Sequence, residues 1–473
     1  MDARQSGRGK KFLNDLKIYT IGNIGSKLVT FLLVPFYTRF ITPSEFGYYD
    51  ICFTVMFCIS PFILFQLNDG SFRFLLETKD ERRQGAVLTY TFNTIARNAL
   101  IIAALGLAVS MCFDIRYLWF VVFFSIVQSV YDEMLQTMRG LGRTKIYVIA
   151  SICNSFLCAA LSIVFVALLK WGVPGIFWAN IASRLFVSVG MMSKIQLFRN
   201  YYDNRLLDRE LNRNMLRYCL PLMPTVLFWS LLNSNNLFFI QHYLGLWENG
   251  IYAVLAKFTG ILYVLSNIFT QTWQQSAIEQ YDSPDRDEIF SMIFNCYFYL
   301  FCGLVIFFPF GLRINYFWLV SVGYDASSVY LFANSVYMMC FAMSMFFELG
   351  YQCAKQTARI LPGLVIASVI NVALNYLLID RIGIWGVILS GIITYGTLTV
   401  YRVVDTRKYM LITFDRKNLA GVILVALAGA AYYLSPSVWI DGALTLGLLI
   451  LYVILAPSDF RIQVLGKLRL RLR

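Results

Sequence analysis

Four basic residues lie inside long apolar stretches of the sequence: Lys27, Arg97, Arg184 and Lys257. A charge near the centre of a bilayer costs at least ~2.5–3.5 kcal/mol on insertion scales, so such residues normally face a protein interior or a hydrated cavity. All four are positive, and phosphate suits them because arginine offers a planar fork and lysine a compact charge. We therefore predict that they form a cationic site for a phosphate-bearing substrate.

Polar side chains recur near these cations at steps of three or four residues, the spacing that places side chains on one face of a helix. The predicted polar lining of the cavity consists of Asn23, Thr30, Asn93, Asn233 and Gln271. Thr20, Asn23, Lys27 and Thr30 form one such stripe, and similar stripes occur in later segments. Because helices that expose polar stripes inside a membrane must line a wet space, the pattern predicts a hydrated cleft between two lobes.

A second interpretation is that each cation is neutralised by a buried carboxylate or extends to the membrane interface. Three acids are available for this role: Asp132, Glu133 and Glu348. They lie near the ends of their apolar segments, and we expect them to be solvated or helix-terminal carboxylates.

The elements that must position these residues are some fourteen apolar stretches, each close to the roughly 20 residues that cross a bilayer. The chain has 473 residues, of which 58% are hydrophobic and only 14% charged, and its mean hydropathy is +0.63. Such a composition excludes a soluble globular protein. We predict an all-α polytopic membrane protein with about 14 transmembrane helices. The predicted spans are 18–38, 48–66, 86–111, 117–138, 146–169, 173–193, 218–240, 251–275, 289–312, 328–350, 360–379, 384–401, 418–434 and 438–456.

The lysines and arginines are distributed unevenly between the gaps that separate these stretches. Of the 40, 31 lie in alternate gaps and the terminal segments, and five lie in the other gaps. Positive loops normally stay in the cytoplasm, so this asymmetry predicts that both termini are cytoplasmic. The net charge of +13 then lies against anionic lipid headgroups, and we expect no nucleic-acid partner.

The sequence also repeats. Glu45, Gly47 and Tyr49 return after 203 residues as Glu248, Gly250 and Tyr252. Two further echoes follow in the same order, pairing residues 150–154 with 367–371 and residues 172–176 with 383–387. A repeat of six spans predicts two six-helix lobes related by a pseudo-twofold axis along the membrane normal, plus two C-terminal helices. The predicted organisation is an N-lobe (1–198), a cytoplasmic linker (199–217), a C-lobe (218–404) and a C-terminal pair of helices with a basic tail (405–473).

The sequence lacks the domains and motifs that would indicate an enzyme. No gap is long enough for a soluble domain, and no Walker A or HExxH sequence occurs. The ten cysteines lack metal-ligand spacing, and the single histidine, His242, lies at the end of a span. We predict no catalytic residue, no metal and no cofactor.

With these features the chain resembles the polysaccharide (oligosaccharide) flippases of the multidrug/oligosaccharidyl-lipid/polysaccharide exporter superfamily. The resemblance is carried by residues 21–27, 35–39, 41–49, 138–147 and 323–326. It implies a twelve-helix core with two extra helices in the cytoplasmic (inner) membrane. It further implies translocation of an undecaprenyl-diphosphate-linked oligosaccharide by alternating access, for O-antigen, capsule or exopolysaccharide assembly. Its implied partners are the lipid-linked oligosaccharide, membrane lipids and other glycan-assembly proteins.

Two other functions remain open. A cation-coupled drug exporter of the same superfamily would share the outline, although such exporters usually rely on acidic residues deep in a lobe. A membrane-embedded glycan-assembly enzyme or scaffold would modify or organise the glycan without moving it. The basic sign of Lys27, Arg97, Arg184 and Lys257 favours an anionic substrate and hence the flippase.

Overall fold

The computed structural model describes residues 32–220, 222–319, 323–354, 356–416, 418–435 and 438–456, with the exception of a few side chains inside helices. This described part is helical and contains no strand. The helices are α1 (32–40), α2 (Pro43–Leu64), α3 (Leu67–Glu77), α4 (Glu81–Cys112), α5 (Leu118–Gly140), α6 (Thr144–Ser162), α7 (Val173–Ile195), α8 (Leu197–Asn200), α9 (Arg209–Cys219), α10 (Leu222–Tyr243), α11 (Leu246–Glu279), α12 (Arg286–Leu319), α13 (Leu331–Cys353), α14 (Ile360–Ile382), α15 (Ile384–Thr406), α16 (Asn418–Leu434) and α17 (Val438–Leu455). The predicted fold class is confirmed.

Within the described ranges, ten helices are long and apolar enough to cross a bilayer, or eleven if a bent pair over residues 209–243 forms one span. The exact count of fourteen is not confirmed. Most of the first predicted span lies outside the described residues, and the last two predicted spans correspond to α16 and α17, whose apolar parts are shorter. A helix of about 20 apolar residues is long enough to cross the bilayer once. Because the described residues contain ten such helices, the chain is a multi-pass membrane protein.

The chain divides into two compact units, residues 1–234 and 235–473, and each has its own core. In the first unit, Leu67, Met134 and Met215 are buried in a cluster formed by α3, α5 and α9 with their neighbours. In the second unit the core is mainly aromatic and is built from Trp273, Phe290, Phe294, Tyr297 and Phe346. The division falls inside α10, whereas the sequence placed the linker at 199–217; the predicted domain boundaries stay a prediction.

The motif around Glu45 starts a helix. Thr42 caps α2 by accepting a hydrogen bond from the Glu45 backbone N–H, the Glu45 carboxylate accepts one in return, and Pro43 occupies the first turn. This capping box satisfies backbone donors that the first turn of a helix leaves unpaired. Glu248 occupies the corresponding first turn of α11, so the repeated glutamate has the same position in both helices.

The repeated glycines have the same geometry in both units. Gly172 precedes α7 with φ 60° and ψ −134°, and Gly383 precedes α15 with φ 58° and ψ −135°, a region that only glycine adopts readily. Three residues later, a Cβ on Gly175 would lie 3.1 Å from the Phe165 carbonyl oxygen, and one on Gly386 would lie 2.8 Å from that of Leu378. The third sequence echo therefore encodes one local structure twice: a tight turn followed by close packing of two helices.

Replacing Gly386 by alanine is expected to destabilise the second unit, because the new methyl group would collide with the Leu378 backbone, which cannot rotate away. Overpacking of this kind typically costs about 1–3 kcal/mol. Thermal unfolding of the purified protein would measure the loss. The control is Gly396→Ala in the same helix, where a Cβ meets nothing within 4 Å and stability should be unchanged or raised. Equal melting temperatures for the two variants would contradict the packing role of Gly386.

Tyrosines fix the two C-terminal helices to α12. The hydroxyl of Tyr299 donates to the carbonyl of Tyr452 at 2.6 Å, the hydroxyl of Tyr452 donates to the carbonyl of Tyr299 at 2.7 Å, and the two rings stack. Further along α12, Arg313 donates to the carbonyl of Tyr432 at 2.7 Å. Inside a membrane such hydrogen bonds hold helices together where water cannot compete. The pair α16–α17 is therefore part of the second unit.

Candidate functional site

Arg97 lies near the middle of the 32-residue helix α4, and its side chain is exposed. Among the described residues, its guanidinium lies 3.5 Å from the side-chain oxygen of Asn98 and interacts electrostatically with Tyr90, and Asn98 is itself held by the carbonyl of Ile63 at 3.0 Å. Within the described part of the chain, no carboxylate lies within ion-pair distance of Arg97. The residue is an exposed cation in the middle of a helix that is long and apolar enough to cross a membrane, and it can offer most of its donors to a ligand.

Arg184 lies in the interior of the first unit. It is half-buried at the middle of α7, its Nη1 donates to the carbonyl and the side-chain oxygen of Asn180 at 3.0 and 2.8 Å, and it stacks on the ring of Phe124 at 5.0 Å. Its Nε is buried and has no partner among the described residues. Asp132 on α5 interacts with it electrostatically without an ion pair between described atoms. Arg184 is thus partly committed to its own unit.

Of the other predicted site residues apart from Asn93, Lys257 lies within the described part of the chain, and the others or their side chains lie outside it. Lys257 lies on α11 in the second unit, where it is half-buried and interacts with a neighbouring group. Lys27, Asn23 and Thr30 lie outside the described residues. Two more predicted lining residues, Asn233 on α10 and Gln271 on α11, have side chains outside the described set. Arg97 and Arg184 share one unit but no hydrogen-bond or ring partner.

Asn93, predicted as cavity lining, binds the linker instead. Its amide nitrogen donates to Asn204 at 2.8 Å, and its oxygen accepts from the Tyr202 hydroxyl at 2.6 Å. One turn earlier on α4, Thr89 donates to the carbonyl of Tyr201 and accepts from the N–H of Asp203. The linker is therefore docked on the same polar stripe that carries Arg97, one helical turn from it. A cavity role for Asn93 stays a prediction and would require release of these bonds.

The sequence predicts that Asp132, Glu133 and Glu348 are solvated or helix-terminal carboxylates, and solvation is wrong for Glu133 and Glu348. Glu133 is 0% exposed, and Glu348 is 17% exposed on the side chain. Glu348 pairs with Arg402 at 2.7 Å, and Arg402 also donates to the carbonyl and hydroxyl of Ser344 at 2.7 and 3.0 Å. Neither Glu133 nor Glu348 lies in the last turn of its helix, and neighbouring helices cover both side chains.

Arg402 is a further interior cation that the sequence reading missed. We placed it in a cytoplasmic gap, but α15 continues to Thr406 and buries Arg402 to 1% exposure. The signal was present in the sequence: Tyr395, Leu398 and Arg402 follow helical spacing and share one buried face. A charged residue that continues an apolar face needs a partner on the next helix, and Glu348 supplies it.

A buried amide network was also missed. In the second unit, Asn375 donates to Asn236 at 2.8 Å, Asn371 donates to Ser390 and Thr394, and Asn236 donates to the Tyr252 hydroxyl. These neutral donors and acceptors join α10, α11, α14 and α15 inside the unit. The sequence had identified Asn371 only as part of an internal echo.

Together the described helices define a class: a polytopic, all-helical membrane protein. The chain is similar to the lipid II flippase MurJ in an inward closed conformation, with a TM-score of 0.68, 13% identity, and coverage of 95% of this chain and 99% of that one. It is also similar to a multidrug resistance MATE family transporter of the MOP superfamily in an inward-facing conformation, with a TM-score of 0.64, 14% identity, and coverage of 88% and 100%. An outward-facing conformation of a MATE family transporter gives a TM-score of 0.54 at 15% identity, covering 88% and 96%.

A family model that matches the sequence shows which family the chain belongs to. The family described as polysaccharide biosynthesis protein matches residues 12–274, more than half of the chain, and the chain belongs to this family. No curated protein matches the chain by sequence. The predicted family resemblance is confirmed, and the chain has the fold of these transporters and of the lipid II flippase.

Proposed function

We propose that the chain is a flippase that moves an undecaprenyl-diphosphate-linked oligosaccharide unit across the cytoplasmic membrane by alternating access, for assembly of a surface polysaccharide. The observation that carries the proposal is Arg97, an exposed arginine in the middle of α4 without a carboxylate partner among the described residues. An arginine on a membrane-crossing helix that lacks such a partner is suited to bind an anion, and a diphosphate provides oxygens for the guanidinium fork. Family membership supports the glycan as cargo.

The other cations contribute unequally to this site. Arg184 keeps a buried Nε without a partner, so a donor remains for an anion that reaches the interior of the first unit. Lys257 belongs to the second unit, and Lys27 completes the predicted set from the sequence alone. In this proposal the membrane lipids surround the helices and other glycan-assembly proteins supply and receive the glycan. No cofactor takes part.

Complementation tests the proposal directly. A strain that lacks its glycan flippase should recover surface polysaccharide when this chain is expressed, and lipid-linked oligosaccharide should no longer accumulate in the inner leaflet. Recovery of drug resistance without glycan would favour the drug-exporter alternative. Modification of a labelled glycan by the purified protein, without movement between leaflets, would favour the enzyme alternative.

The proposed orientation has both termini in the cytoplasm, following the distribution of Lys and Arg between the gaps. Single cysteines placed at Arg205, Glu248 and Asp325 on a cysteine-free background should differ in whether a membrane-impermeant reagent reaches them from outside the cell. In intact cells positions 248 and 325 should be labelled, and position 205 should react only after permeabilisation. Labelling of position 248 from the cytoplasmic side alone would refute the orientation.

A further inference from the structure

Glu133 is a carboxyl group sealed inside the first unit without a cation. It lies on α5 and is 0% exposed. Its Oε1 lies 2.7 Å from the Ser71 hydroxyl on α3 and 3.1 Å from the Thr137 hydroxyl, while Oε2 is buried and has no partner. Within the described residues no lysine or arginine lies within ion-pair distance of it. A buried carboxylate normally requires a cation or donors to both oxygens, and Glu133 has hydroxyl partners at Oε1 alone.

The groups that face Glu133 make a negative charge there still less favourable. They are Asp69 on α3, Asp132 on α5 itself and Cys219 on α9, and none of them is cationic. Burial also raises the pKa of Asp69, and Arg139 acts on Asp69. Arg139 stacks on Phe72 and Tyr147, Arg184 is held by Asn180, and Arg73 on α3 pairs with Glu77.

The hydrogen bonds themselves fit a protonated carboxyl. The Ser71 hydroxyl lies 3.2 Å from the carbonyl of Asn68 as well as 2.7 Å from Glu133. A hydroxyl has one proton to donate. If Glu133 Oε1 carries a proton, it donates to Ser71, and Ser71 donates to Asn68, so that every donor in the chain has an acceptor. An ionised Glu133 would accept from both Ser71 and Thr137 at Oε1, but its charged Oε2 would remain buried without a donor.

The second unit contains a natural comparison. Glu133 is the sixteenth residue of α5 and Glu348 the eighteenth of α13, the corresponding helix of the repeat. Glu348 is neutralised by Arg402 on α15. Counting from the matched turns at Gly172 and Gly383, the α7 residue that corresponds to Arg402 is Met191, which is buried and apolar. Each unit therefore carries a buried or largely covered acid on the corresponding helix, with a counter-charge in the second unit and none within ion-pair distance among the described residues of the first.

We infer that Glu133 is a proton-binding site of the transport cycle: it holds a proton while α3 packs on α5 as in this structure, and it releases that proton when the two helices separate and water reaches Oε2. The inference rests on the proposed function, because it identifies the proton as the ion that the flippase cycle binds. The step is a simple one: the carboxylate gains a proton to form the acid, and the acid returns it to water.

Infrared spectroscopy of the purified protein at neutral pH tests the protonation state without any substrate. Glu133→Gln should remove intensity from the carbonyl stretch of a protonated carboxyl. The matched variant Glu348→Gln should instead remove carboxylate intensity, because its partner Arg402 keeps Glu348 ionised. Ser71→Ala should shift the Glu133 band by deleting its hydrogen bond, which keeps the test informative if one variant is unstable. An acid band unchanged by Glu133→Gln would overturn the inference.

Glycan export in a flippase-deficient strain tests the role in the cycle. Glu133→Gln should lose most of the export that the unsubstituted chain restores, and the remainder should no longer respond to the pH of the medium. Export and pH response equal to those of the unsubstituted chain would overturn the inference even if the acid band is present. If the unsubstituted chain restores no export at all, the proposed function fails, and the infrared result distinguishes that failure from an error about Glu133.

Discussion

Replacement of Arg97 by alanine is expected to abolish glycan export while the protein is still made and inserted. Arg97 forms no ion pair with a described residue, and its hydrogen-bond contact among them is with Asn98, so its removal should leave the first unit folded. A hydrogen bond to a charged group contributes about 1.5–3 kcal/mol, so losing one guanidinium–phosphate contact should weaken substrate binding by roughly 10- to 150-fold. Surface glycan from a flippase-null strain, normalised to the amount of membrane-inserted protein, measures the effect.

Two further variants give this prediction its controls. Arg97→Lys should retain part of the export, because the charge survives while the planar fork is lost. Arg205→Ala in the linker should be nearly silent, since the Arg205 side chain is exposed and only its backbone N–H bonds to Asp203. If Arg97→Gln, Arg184→Gln, Lys257→Gln and Lys27→Gln each support export as well as the unsubstituted chain, these cations do not bind the diphosphate.

The second large effect is expected at the ion pair of Arg402 and Glu348. Arg402→Met alone leaves the Glu348 carboxylate largely covered and without its partner, and Glu348→Leu alone leaves a buried guanidinium held only by Ser344. Removing one partner of a buried pair costs about 3–5 kcal/mol. Each single variant should therefore lower the thermal stability of the purified protein strongly, or its yield of inserted protein.

The double variant Arg402→Met with Glu348→Leu should recover much of that loss, because replacing both charges by apolar groups removes the unpaired charge. Thermal unfolding of the two single variants and the double variant forms a double-mutant cycle. The exposed pair Arg73 and Glu77 is the matched control: its members are about half exposed, and breaking it should change stability by less than about 1 kcal/mol. Additive losses in the Arg402–Glu348 cycle would show that the two residues do not stabilise the fold through each other.

Much of the fold could be predicted from the sequence because the bilayer restricts what a chain can do. Apolar stretches of about 20 residues must become helices, since no other open structure satisfies the backbone inside hydrocarbon. Turns that require a left-handed or glycine-only conformation are likewise local, and Gly172 and Gly383 adopt the same one. The ends of helices were less certain, as Arg402 shows: hydropathy ended the span at Tyr401, but α15 continues to Thr406.

The site was predicted less completely, because a polar stripe specifies only that some partner exists. The sequence identified Asn93 and Arg97 on one face of α4, but only the structure shows that Asn93 binds the linker and that Arg97 does not pair with a described carboxylate. It predicted three solvated acids, and the structure pairs Glu348 with a buried arginine and leaves Glu133 among hydroxyls.

The sequence alone thus determined that this is a multi-pass helical protein with duplicated motifs and with cations inside its membrane segments. Those properties follow from local composition and spacing, because the cost of exposing polar groups to lipid acts on each helix separately. The tertiary structure decided which charges are neutralised. An ion pair depends on residues such as Glu348 and Arg402, 54 positions apart, meeting across packed helices. The free energy of a buried charge depends on the groups within a few ångströms of it, and sequence periodicity does not specify those neighbours.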